Sequence, residues 1–96
     1  MLQLLKNLLP NRLREQGISE AVEAAQVMEV FKDEVAKIYG ASARNDFRRL
    51  VLEGNTIEVS AYSSAFASEL RMRQLELEEA IKVRLGGKQY RLRIFA

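Results

Sequence analysis

The chain of 96 residues contains no cysteine and no histidine. Without cysteine there can be no disulfide framework and no thiolate metal site, and the composition fits a reducing, cytoplasmic setting. Without histidine, a general base near neutral pH would have to be a perturbed carboxylate or lysine. No activating partner accompanies the serines, so a nucleophile has no evident source of reactivity. The reading is therefore of a protein that is not an enzyme and needs no cofactor. Long apolar runs are missing too: nothing approaches the roughly 20 residues that span a bilayer. The most apolar stretch, MLQLLKNLLP, is interrupted by Lys6, Asn7 and Pro10, and no small-residue cleavage site follows its apolar part. It reads as an amphipathic helix packed on the domain, and no membrane partner is expected. Internal repeats, low-complexity segments and linkers are likewise lacking, which leaves one domain over 1–96.

What is present is the balance of a globular protein, with 48% hydrophobic and 29% charged residues. Fifteen basic and 13 acidic residues give a net charge of +2. Their distribution is uneven: residues 1–40 carry 5 basic and 6 acidic groups, and residues 41–96 carry 10 and 7. The second part is thus the expected anion-facing one.

Periodicity divides the chain. Residues 1–16 form an expected helical segment, broken at Gly17, whose Leu2, Leu5, Leu8 and Leu9 either cover the back of another helix or form a docking patch. A helix over 19–39 follows, capped by Ser19, with Ala21, Ala25, Met28, Phe31, Val35 and Ile38 as its apolar stripe and Gly40 as its stop. The period then shortens to that of strands. Residues 43–52 and 56–61 read as a hairpin about Gly54, with Ile57, Val59 and Ala61 on one face and Glu58 and Ser60 on the other.

Ser63 or Ser64 opens a helix expected to run over 63–85, its apolar line passing through Phe66, Leu70, Leu77, Ile81 and Leu85. That makes about 33 Å of helix, more than a short hairpin can cover, so the rod bends or overhangs at the polar gap of Arg73 and Gln74. Glu69 with Arg73 and Glu78 with Lys82 are the expected i,i+4 pairs. Gly86 and Gly87 end it. Residues 88–95 read as the last strand, with Tyr90, Leu92 and Ile94 inward and Arg91, Arg93 and Phe95 outward. A right-handed crossover sets this strand parallel to the second. The expected fold is α+β, in the order α-α-β-β-α-β, with a three-stranded sheet and helices packed on one face.

Two surfaces are candidate binding sites. Arg49, Arg91 and Arg93 with Phe47 and Phe95 on the open sheet face supply cations for phosphates and rings for stacking unpaired bases. Outward arginines also guard an exposed face and edge against aggregation, so the same residues have a plain structural reading. Tyr62, Met72 and Leu75 fall off the core stripe and form a candidate partner-binding patch. Glu76, Glu78 and Glu79 read as a solvated helix face and not as a metal site.

The stretch LVLEGNTIEVSAYSSAFASEL, followed by LRMRQLELEEAIKVRLGG and YRLRIF and preceded by QVMEVFKDEVAKIYG, resembles the DciA type of bacterial proteins linked to loading or operating the replicative helicase DnaB. Phe66 stands where many of those relatives have tryptophan, and ASARNDFRR replaces their usual histidine and proline before the hairpin. The resemblance implies a KH-like fold, a cytoplasmic role in DNA replication, a helicase partner and contact with single-stranded DNA. A KH domain clamps the nucleic-acid backbone with a G-x-x-G loop between two helices. This chain has Leu70-Arg71-Met72-Arg73-Gln74 there, so Arg71 and Arg73 join Arg49, Lys88, Arg91, Arg93 and Phe95 as candidate nucleic-acid contacts. The alternative is a general single-stranded nucleic-acid-binding or ribosome-associated KH-like protein without a helicase partner, and a self-assembling structural domain is the remaining class.

Overall fold

A computed structural model describes residues 19–96, so the helix expected over 1–16 and its leucines lie outside the described residues. The first helix, α1, spans Ser19–Tyr39. Its buried stripe is Val27, Val30, Phe31 and Val35, whereas Ala21 and Ala25 are exposed. Larger side chains remove more apolar surface from water than alanines do, so they set the rotation of the helix. Gly40, at φ +101, ends it.

The next segment corrects the expected strand start. Ala41–Asn45 form a 3₁₀ turn and strand β1 covers Phe47–Glu53. Bonds from Ala43 N to Gly40 O (3.1 Å) and from Asp46 N to Ala43 O (3.2 Å) consume groups that a ladder would have used. Strand β2, Thr56–Ala61, returns antiparallel after two turn residues. Gly54 takes φ +61 there while Asn55 stays at negative φ, as a II′ hairpin requires.

The expected single helix over 63–85 is two helices, α2 at Ser64–Met72 and α3 at Gln74–Arg84. Arg73, at φ −108 and ψ 16, leaves helical geometry: its N–H closes α2 on Leu70 O (3.1 Å), and its carbonyl starts α3 by accepting from Leu77 N (2.9 Å). After α3, Gly86 at φ +71 turns the chain and Gly87 N bonds Lys82 O at 2.8 Å, a Schellman closure. That turn delays the last strand, so β3 spans Arg91–Phe95 and not 88–95.

Strand order is β1-β2-β3, with β3 parallel to β2 as the crossover requires. Ile57, Val59, Ala61, Leu92 and Ile94 face a core shared with Phe31, Val35, Leu70, Leu77, Ile81 and Tyr90. A ring cluster extends it: Phe47 lies 5.4 Å from Phe31 and 5.7 Å from Phe66, and Tyr39 meets Phe66 edge-on at 5.4 Å. The described part is thus a small α+β domain with three helices and a mixed three-stranded sheet. The helices cover one face, and among the described residues nothing covers the other. No helix among these residues is long and apolar enough to cross a membrane.

Candidate nucleic-acid interface

The uncovered face follows from the two-residue period of the strands and from their register. Directly opposed residues point the same way, which gives three rows: Arg49, Ser60 and Phe95; Val51, Glu58 and Arg93; Glu53, Thr56 and Arg91. Arg49, Arg91, Arg93 and Phe95 therefore share one surface, as expected. The Arg93 guanidinium sits 5.5 Å from the centre of the Phe95 ring and 3.6 Å from the Glu58 carboxylate. The ring orients the guanidinium, and the Glu58 carboxylate partly neutralises it, so an anionic ligand here has to compete with Glu58. Three arginines against Glu53 and Glu58 leave the face cationic, though only mildly.

Phe47 is not part of this surface. It opposes Ala61 and packs inward between Phe31 and Phe66. A bulge between Phe47 and Arg49 inserts Arg48, and both arginines are exposed. Arg48 lies 5.8 Å over the Tyr62 ring and adds a second cation–aromatic pair at the rim. Sequence reasoning missed Arg48. The signal was the Arg48-Arg49 doublet itself: a regular half-buried strand turns one of two neighbours inward, so two adjacent arginines point to a bulge.

The remaining candidate cations are separate from this face or already bonded. Arg71 donates to Ile94 O (2.9 Å), at the outer edge of β3. Arg73 pairs with Glu76 (3.1 Å) and not with Glu69. Lys88 pairs with Glu23, which also accepts from the Tyr90 hydroxyl (2.8 Å), so it ties α1 to the approach to β3. These bonds from Lys88 and Tyr90 hold the Glu23 carboxyl below the usual range, and the Lys88 ammonium is raised in turn. Glu78 accepts from Gln74 (3.0 Å) and from Leu92 N (2.9 Å), which replaces its expected pairing with Lys82.

Met72 and Leu75 flank the break at Arg73 and are 80% and 81% exposed. Tyr62 is exposed as well but precedes α2, about 13 Å of helix away from Met72, so the three do not form one patch. A depression between α1, the 3₁₀ turn and α3 is lined by Asp33, Lys37 and Arg84. Its charges are already engaged, since Asp33 binds Arg44 and Arg84, and Glu34 binds Arg84 (3.2 Å) and Lys37 (2.9 Å). The bond from Arg44 lowers the Asp33 carboxyl despite some desolvation. Among the described residues no group of three or more acidic side chains gathers as a metal site. No protein-family model, curated protein or solved structure matches the chain.

Proposed function

We propose that this chain is a non-catalytic adaptor of the DciA type, which binds single-stranded DNA on its open sheet face and a replicative helicase through the apolar corner at Met72 and Leu75. The observation that carries the DNA reading is the placement of Arg49, Arg91, Arg93 and Phe95 on one face left bare by the described helices. The order helix, strand, strand, helix, helix, strand over 19–96 supports a KH-like assignment, as does the helix break at Arg73 where a KH domain carries its loop. That loop carries no glycines and its arginines are engaged by Ile94 O and Glu76, so no KH-type backbone clamp is expected there and the DNA reading rests on the sheet face. Base-specific reading along β3 is not expected, because Gln74, Glu78 and Arg71 already hold that edge.

Affinity for an unlabelled-sequence single strand should fall as salt rises, by about 0.7 in log–log slope for each phosphate contacted. Arg91→Glu with Arg93→Glu should weaken binding at least tenfold, that is by about 1.4 kcal/mol or more. Unchanged binding would remove the face from consideration. The helicase reading is tested by pull-down with the organism's replicative helicase in the absence of DNA. Recovery that disappears in Met72→Asp with Leu75→Asp supports it, whereas DNA binding without helicase recovery favours the general single-stranded nucleic-acid reading.

A further inference from the structure

The two edges of the sheet are treated differently. On β3 the outward backbone groups are engaged by helix side chains: Gln74 Nε2 donates to Leu92 O (2.9 Å), Glu78 accepts from Leu92 N (2.9 Å) and Arg71 donates to Ile94 O (2.9 Å). Spaced three and four residues apart, these side chains stand in for a neighbouring strand. On β1 no such bond is made to the outer edge among the described residues. A two-residue turn joins Glu53 to Thr56, so the backbone groups of Glu53, Val51 and Arg49 turn toward β2 and those of Leu50 and Leu52 turn outward. Leu50, Val51 and Leu52 remain only half-buried.

We propose that β1 pairs antiparallel with β1 of a second copy of this chain about a two-fold axis at Val51, joining the two sheets into one. The edge is bracketed by the bulge at Arg48 and the turn at Gly54, which leave 49–53 as its regular part, centred on Val51. An antiparallel match of this stretch with itself sets Leu50 against Leu52 of the second copy, and these are the residues whose backbone groups face outward. Val51 meets its own counterpart. Arg49 opposes Glu53 of the second copy twice over, as an isologous interface demands. Those pairs fall at non-hydrogen-bonded positions, where side chains approach most closely. A shift of one residue would put Arg49 opposite Leu52 and set the two faces out of step. Charge complementarity thus favours a second copy over an arbitrary strand.

Sedimentation of the whole chain without nucleic acid tests this. The protein should dimerise with rising concentration. Arg49→Glu alone and Glu53→Arg alone should each raise the dissociation constant at least tenfold, because each sets like charges across the axis. Mixing the two variants should restore association as a heterodimer, and the double exchange Arg49→Glu with Glu53→Arg should restore the homodimer. Both sites are exposed, so circular dichroism should show each variant folded. A monomer at hundreds of micromolar, or a dimer indifferent to these charges, overturns the proposal.

Discussion

Ser63 and Ser64 are neighbours with the same hydroxyl, yet only one of them caps α2. Ser63 is extended, at φ −130 and ψ 151, and its Oγ accepts from Phe66 N at 3.1 Å, whereas Ser64 is already the first helical residue. Ser63→Ala should therefore cost about 1 kcal/mol of stability, and Ser64→Ala should stay within about 0.5 kcal/mol. Urea denaturation of the two variants checks the contrast, and equal losses would place the cap elsewhere. That a serine opens this helix was legible in the sequence, but which one was not. The choice depends on the backbone angle at which β2 hands over to α2. Phe47 shows the same limit. Its identity as a large ring was plain, but the bulge at Arg48 shifts the alternation by one and turns Phe47 into the core while exposing both arginines after it.

At the scale of elements, the sheet edge and the helix break belong together. Gln74 and Glu78 hold both the carbonyl and the amide of Leu92. Gln74→Ala with Glu78→Ala should cost about 1 kcal/mol, little because water can replace the lost bonds at an opened edge. Amide exchange should accelerate at Leu92 by more than at Val59 in the central strand, and equal acceleration at both would mean that the edge contacts are not local. The three strands, the faces of β2 and β3 and the parallel crossover were readable because a period of two and the handedness of connections leave few alternatives. The starts of β1 and β3 were not, because they are set by a 3₁₀ turn and a glycine turn that alternation does not reveal. The break at Arg73 was not readable as two helices. Leu70 and Leu77 are seven residues apart, close to two full turns, so the apolar phase survives the interruption and the sequence mimics one rod. Of the candidate site, the outward row of Arg91, Arg93 and Phe95 was legible from alternation alone. The engagement of Arg71, Arg73 and Lys88 was not, because their partners come from contacts across the fold or from a helix start that the sequence hides.

Across the whole molecule, ion pairs fasten α1 to the rest. Glu23 joins it to Lys88 and Tyr90, and Asp33 and Glu34 join it to Arg44 and Arg84. Folding lowers the Glu23 and Asp33 carboxyls, chiefly through bonds from Lys88 and from Arg44. A group lowered in the folded state contributes stability above its unfolded pKa and loses it as pH falls through the folded one. Tyr90 is raised by burial first and by its bond to Glu23 second, and Lys88 is raised by its bond to Glu23. Their contribution holds below the unfolded pKa values and fades as pH rises through the folded ones. Stability should therefore be level between about pH 5 and 9 and decline on both sides, below about 4 and above about 10. Urea midpoints across this range measure the profile. Glu23→Gln with Asp33→Asn should lower the plateau and flatten the acid limb, because the proton-binding difference between folded and unfolded states is then largely removed. An acid limb as steep in that variant as in the parent would mean that these two carboxylates do not fasten α1, and that the helix is held by Phe31 and Val35 in the core and by the remaining pairs of Glu29 and Glu34.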